Sequence, residues 1–420
     1  MAIHAVLSPG WRKFLTHCLV VLYSFTALGL LALLALNFSV LNPVAQTMKS
    51  FSMTDIYYHV LKDYAEPDTS HAITIVEMTD IHDRFLLGER IDEIEACHPK
   101  VLGIDIVFEG FKDEMGDSRV TQSATSYDNS VFSYRLRDWA NDSLGYMTEI
   151  HSFFADTAHI CEGFTNYERN LYGGLKRKAN LRRRVSGETR SSLVLEVARK
   201  YSDGHIAETS TEDVNINFRP TVFRVVSSDS IAFYHHLIED HIVLFGAMHE
   251  LADMHYTPLG EMAGVELLAY TIQTLLEQSE VKHPSTWATI IISFLIVFIT
   301  RIGRQAYLSW AKSFKSEWVV FFLTTTFVIG ILLFLWSAVI MCLAFFAFVL
   351  YDISINLGWA LGTIPFLYGA NEFAILTEKI IFSNNKAKAD ERQELNAAME
   401  TSQPEHVADP AEMPGDQQLI

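Results

Sequence analysis

Residues 18–37, CLVVLYSFTALGLLALLALN, run for about twenty positions without a charge, the length a helix needs to cross the hydrocarbon of a bilayer. In lipid the backbone must satisfy its own polar groups, so a stretch like this is confined to a helix. No A-x-A triplet follows it, and a retained span is expected rather than a removed export signal. Further apolar runs lie at 286–302, 318–336 and 339–359. The expected layout is one span, a large polar block, and three more spans.

Positive residues resist translocation, so the short flanks set the orientation. Arg12 and Lys13 precede the first span, placing residues 1–17 in the cytoplasm. The loop 303–317, flanked by Arg301 and containing Arg304, Lys312 and Lys315, is expected on the same side, as is the tail with Lys379, Lys386 and Lys388. Four spans satisfy all of these signs, and the block 38–283 is then exported. Residues 360–376 are again mostly apolar but contain Pro365 and Glu372. A fifth span would carry the tail lysines outside, so 360–385 is read as an interfacial or cytoplasmic piece. Asp352 and Asn356 sit one turn apart near the end of the last span, where a charge deep in lipid is costly. They belong at the headgroups or form a polar lock between spans. Residues 386–420, rich in Glu, Ala, Gln, Pro and Asp, read as a disordered acidic tail.

Charge and cysteine usage exclude several functions. The 32 Lys and Arg against 50 Asp and Glu leave a formal charge of −18, which repels phosphate backbones and argues against nucleic acid as a partner. The four cysteines show no CxxC or Cys/His spacing, so zinc modules and redox dithiols drop out. Cys97 and Cys161 both fall in the exported block. A disulfide between them and two free thiols are both compatible with an oxidising compartment.

The exported block alternates strand-like and helix-like stretches. Residues 73–78 (ITIVEM) and 101–108 (VLGIDIVF) are β-branched runs separated by the helical pattern at 90–97, a βαβ signature that predicts a parallel pair. Helices are expected over 129–139, 191–201 and 263–276, and strands near 157–161, 214–218 and 241–246. The fold class is therefore an α/β exported domain with a mixed sheet, plus four transmembrane helices.

Seven short segments in order then carry a resemblance. IVEMTD at 75–80, HPKVLGIDIVF at 98–108, EGFTN at 162–166, LRRR at 181–184, INFRP at 216–220, IVLFGA at 242–247 and DMHYTPLGEMAGVELLAYTIQTLL at 253–276 resemble the CHASE2 extracellular sensory domain. The layout agrees to about residue 376, since such receptors carry one span before the sensor and three after it. One departure is IHDRFLLGE at 81–89, where a tryptophan- and proline-rich segment is common. Another is the acidic tail, found where such receptors usually continue into a cyclase, kinase or other effector. The resemblance thus implies a sensor in a bacterial inner membrane, with a periplasmic domain and cytoplasmic termini. It signals through a separate partner and takes an unknown small ligand or envelope protein outside. Two copies are compatible with this layout, and nothing in the sequence marks a dimer seam.

Candidate binding residues follow from chemistry. Asp80 and Asp105 end probable neighbouring strands, and adjacent carboxylates serve either structural hydrogen bonding or acid/base work. Asp253 and His255, with His249, lie just after a strand, where α/β sheets place ligands; they are metal-ligand types or ordinary loop residues. The cations Lys176, Arg177, Lys178, Arg182, Arg183 and Arg184 form either an anion site or a solvated patch balancing nearby acids. Thirteen of the 16 histidines fall in the exported block, so pH sensing is available. No nucleophile elbow, Walker loop or HExxH helix is present, and neither an enzyme nor a cofactor is expected. A constitutive docking subunit of an envelope complex is the alternative to a sensor.

Overall fold

The computed structural model describes residues 9–37, 53–64, 66–78, 83–141, 143–167, 174–206 and 212–377. Asp80 and the expected tail at 386–420 lie outside the described residues. The chain divides into two units: one of Phe38–Ile290 with Ile331–Gly358, the other of Met1–Asn37, Ile291–Gly330 and Trp359–Ile420.

The first unit is built on a nine-stranded mixed sheet. β1 (Asp68–Glu77), β2 (Val101–Ile104), β3 (Ser130–Asn141), β10 (Thr221–Ser227) and β11 (Ile242–Gly246) form its parallel part in the order β10-β1-β11-β2-β3. β5 (Glu162–Phe164) pairs parallel with β3. β4 (Gly145–Ile150) turns back antiparallel on β3, and β7 (Arg182–Val185) with β8 (Glu188–Ser191) extend that end. Side chains alternate between the two faces of a strand. Ile73, Ile75, Ile242, Leu244, Val101 and Val131 therefore enter one apolar cluster, while Val76, Val243, Phe245, Leu102, Ile104 and Phe132 enter another. The first cluster is covered by α6 (Leu193–Tyr201) and α7 (Gly264–Glu277). The second is covered by α3 (Arg84–Glu95) and α4 (Glu114–Ser126). The result is a three-layer α/β/α unit.

Several expectations need correcting. β1 and β2 are parallel but not adjacent, because β11 lies between them. Its residues, IVLFG, are all buried, and an apolar strand of that kind takes the centre of a parallel sheet. Residues 129–139 form strand β3, not a helix: Tyr134 and Leu136 are buried while Arg135 and Arg137 are exposed, a period of two. The expected strand at 157–161 is instead the short helix α5 (Ala155–Ala158), ended by His159 at φ +50°, with β5 following. Residues 214–218 contribute only β9 (Asp213–Asn215), which pairs with β6 (Lys178–Asn180) in a small separate sheet. The helices expected at 191–201 and 263–276 and the strand at 241–246 correspond to α6, α7 and β11.

Cys97 and Cys161 are free thiols. Cys97 belongs to the cluster under α3 and α4, whereas Cys161 packs on the cluster under α6 and α7, so the sheet separates them. No bridge forms between them.

Among the described residues three helical stretches are long and apolar enough to cross a membrane: Lys13–Leu31 within α1 (Pro9–Asn37), α8 (Thr286–Ala311) and α10 (Thr326–Tyr351). The expected junction between spans at 337–338 falls inside α10. Nothing from Trp336 to Tyr351 is charged or helix-breaking, and the helix stops only at Asp352, whose φ is +54°. The short α9 (Glu317–Thr324) precedes it, broken from it at the extended Thr325. Residues 358–377, expected to be interfacial, are helical almost throughout. In the second unit Ala360, Leu367, Ala370 and Ala374 pack with Val20 and Val21 of α1 and Val297 of α8.

Gly163 in β5 leaves no room for a side chain, since a Cβ would stand 2.4 Å from the Leu193 nitrogen. Gly163→Ala is therefore expected to destabilise the domain by about 1–3 kcal/mol, read as a lowered melting midpoint of the purified chain.

Candidate functional site

Parallel α/β sheets present ligand sites beyond the carboxyl ends of their strands, where chain ends and helix starts converge. Here β1, β11 and β2 end together. Met78 donates its N–H to the Gly246 carbonyl and Asp105 donates to the Phe245 carbonyl, each at 2.9 Å, which holds Asp105 directly above the sheet. The segment TPLGEMAG then forms a hairpin. β12 (Met254–Thr257) pairs with β13 (Gly260–Ala263), tied by the Thr257 hydroxyl donating to the Gly260 carbonyl at 2.9 Å. That hairpin delivers the chain into the amino end of α7. Gly264, the first residue of α7, touches the Asp253 carboxylate so closely that a Cβ would stand 2.2 Å from its Oδ2. Gly246 likewise leaves room for Val265 and the Asp105 Cβ. Both glycines serve close approach, so a side chain at either position would push the carboxylates off the strand ends.

Asp105, Asp253, His255 and Tyr167 meet at this point. His255 Nε2 lies 3.6 Å from Asp253 Oδ1, and the Tyr167 and His255 rings are 5.4 Å apart. Burial and the neighbouring Asp253 charge push the Asp105 carboxyl up to about 7, with Arg135 and His255 pulling the other way. Burial, with the charges of Asp105 and Asp253, also drives the Tyr167 phenol well above its ordinary range; its hydroxyl is buried beside Thr271 of α7. Farther along α7, burial raises the Glu266 carboxyl, opposed by Lys62. The arrangement holds or releases a proton and accepts hydrogen bonds from a donor-rich group.

The sequence paired Asp105 with Asp80 and, separately, set Asp253 and His255 with His249; the structure instead brings Asp105 beside Asp253, His255 and Tyr167, a grouping that carried no sequence signal. His249 diverges from them and pairs with Glu77 at 3.2 Å. No three His, Cys, Asp or Glu side chains among the described residues are placed to hold a metal ion. The basic residues are elsewhere and largely engaged. Arg177 grips Asp55 through Nε and Nη2 at 2.9 and 2.5 Å, and Arg183 contacts Asp213 and Asn180. Arg182 and Arg184 alternate with Arg183 along β7, and Arg184 Nη1 reaches the Ser143 carbonyl at 3.5 Å. A shallow cleft of about 680 Å³ between Phe111, Asp113, Asp117 and Phe153 lies away from all these residues, beside the buried Arg84–Asp117 ion pair.

A second feature was not foreseen. α2 (Met53–Tyr64), the end of α7 and the end of α10 meet in one polar and aromatic junction. Tyr58 donates to Asn217 Oδ1 at 3.1 Å, the Asn217 amide donates to the Ser279 carbonyl at 2.9 Å, and Asn217 N–H donates to the Thr274 hydroxyl at 3.1 Å. Phe348 of α10 is buried against Tyr57 and Tyr58, with ring centroids 4.9 and 5.7 Å away. Lys282 donates to the Asp352 carbonyl at 2.8 Å and accepts from Ser354 at 2.9 Å, while Arg219 pairs with the Asp352 carboxylate at 2.7 Å. Asp352 thus binds the domain rather than other spans, and Asn356 caps Gly358. The half-exposed ion pair contributes at most about 1 kcal/mol, so the aromatic burial and backbone pairing hold the junction.

The raised Asp105 carboxyl makes stability depend on pH with a definite sign. Between its ordinary value of 3.8 and about 7 the folded protein keeps a proton that the unfolded chain releases, so stability falls as pH rises through that window. Thermal melts of the full chain are expected to show this fall, and Asp105→Asn, which cannot ionise, is expected to flatten it.

The family model of the CHASE2 domain matches residues 25–303, about two thirds of the chain. No curated protein and no solved structure matches it. The match spans the β1–β11–β2 strand ends, the hairpin and α7, and the chain belongs to the CHASE2 domain family of sensory domains.

Proposed function

We propose that the chain is a membrane sensor whose exported CHASE2 domain converts binding or protonation at the strand-end cluster into a shift of α7. The junction at Lys282 and Asp352 passes that shift to the bilayer helices. The observation that carries this reading is the continuity of α7. Its first residue touches Asp253, and residues just past its last one are paired with the end of α10. A ligand shifts such a two-state element only as far as it binds one arrangement better.

The reading includes a topology. α1, α8, α10 and the helical segment 358–377 each cross once, in a bacterial inner membrane. α10 ends beside the periplasmic domain, the basic loop near Lys312 is cytoplasmic, and segment 358–377 returns the chain to the cytoplasm. Four crossings remain, with the fourth moved to the segment first read as interfacial. Output passes to a separate signalling partner through the cytoplasmic loops, and no catalytic role is assigned to the domain.

The test is a melting screen of the full chain in detergent against small amines, amino acids and carboxylates. A saturable upward shift that Asp253→Asn abolishes supports the sensor. Phe348→Ala is expected to retain ligand binding, cost about 3–5 kcal/mol of stability, and uncouple the helices from the ligand. The uncoupling is read with a fluorophore at Lys312 that answers ligand only when Phe348 is present. Co-purification of a stoichiometric envelope protein with no ligand response would favour the docking-subunit reading instead.

A further inference from the structure

α8 carries two arginines, Arg301 and Arg304, three residues apart and hence on one face. Arg301 is 8% exposed, and its Nη2 donates to Asn371 Oδ1 of the helical segment 358–377. The Arg304 guanidinium lies 5.5 Å from the centre of the Tyr368 ring on the same segment. These partners are neutral, and among the described residues no carboxylate pairs with either guanidinium. The Nε atoms of both arginines are buried without an acceptor, and so is Nδ1 of His17, whose ring lies within electrostatic reach of Arg301. Glu372, next to Asn371, is exposed. A buried guanidinium with an orphaned Nε presents the Nε and Nη edge that grips an oxyanion with two parallel hydrogen bonds.

The surroundings identify the oxyanion. Trp11, Phe14, Trp310 and Phe314 are exposed at this end of the helices, which is the composition of a membrane-interface belt. Arg304 lies six residues, about 9 Å of helix, from Trp310, within reach of headgroups for a long side chain. Lys13, Lys312 and Lys315 mark the same end as the side that faces the anionic leaflet.

We propose that Arg301, Arg304 and His17, backed by Asn371 and Tyr368, form a binding site for the phosphate of an anionic lipid headgroup. Headgroup occupancy supplies the missing counter-charge and ties α1, α8 and segment 358–377 together. The inference rests on the membrane placement of these helices and is independent of whether the exported domain senses a ligand.

Native mass spectrometry of the full chain tests it, with phosphatidylglycerol, phosphatidylcholine and inorganic phosphate as probes. The wild type is expected to retain phosphatidylglycerol over phosphatidylcholine. R301Q/R304Q is expected to lose that retention by about tenfold, while K312Q/K315Q, altered only at exposed lysines, keeps it. Should R301Q/R304Q fail to fold, Asn371→Asp provides an internal carboxylate for Arg301 and is expected to expel the lipid from a folded protein. Equal retention of both lipids by the wild type, or unchanged retention in the arginine and Asn371 variants, overturns the site. Displacement of bound lipid by millimolar inorganic phosphate would assign the pocket to a free anion and overturn the lipid reading.

Discussion

Strict alternation of side chains along β1, β11, β2 and β3 is the constraint on which the rest of the domain depends. Each strand sends one set of residues to the α6–α7 face and the other to the α3–α4 face, so a register slip of one residue would exchange both cores. Because all the neighbouring pairs here are parallel, the strands finish at one edge of the sheet. That edge brings Asp105 under the amino end of α7 and sets the hairpin carrying Asp253 and His255 beside it. Most of α7 is buried in the first core, so the acidic cluster and the core share one rigid element.

The two ends of α7 meet different physics. At its start the Asp253 carboxylate lies against Gly264, and burial together with the Asp253 charge raises the Asp105 carboxyl to about 7. At its finish the chain is held by backbone pairing and by edge-to-face aromatic contacts that salt and pH scarcely touch. A change in charge at the first end has a stiff path to the second. The partly exposed Arg219–Asp352 pair adds direction to that contact more than strength.

Much of this was legible in the sequence where local pattern and tertiary role agree. The β-branched runs at 73–78 and 241–246, the amphipathic stretch at 263–276 and the TPLG turn all appear where their residues point. What misled were patterns that tertiary context overrides. Residues 129–139 mix charges and apolar groups in a way that admits a helix, yet Val131, Phe132 and Tyr134 are drawn into a central strand by cores on both sides. Insertion of β11 between β1 and β2 depends on a strand more than a hundred residues downstream, which no local signal encodes. In the apolar stretch from 318 to 359, composition marks lipid-like length without marking where a helix stops. Asp352, expected at the headgroups or in a polar lock between spans, is the stop itself and the partner of Arg219. Tyr167 carried no motif, and its role emerges only once EGFTN is threaded beside the strand ends.

In the proposed topology the domain and the end of α10 share one side of the bilayer while the basic loop after α8 faces the other. Membrane-impermeant thiol labelling of intact cells tests it, using single cysteines at Met147, Asn356 and Lys312 in a chain whose native cysteines are replaced. Labelling of the first two in intact cells, and of the third only after permeabilisation, is the predicted result. Labelling of Met147 and Lys312 from the same side would contradict it.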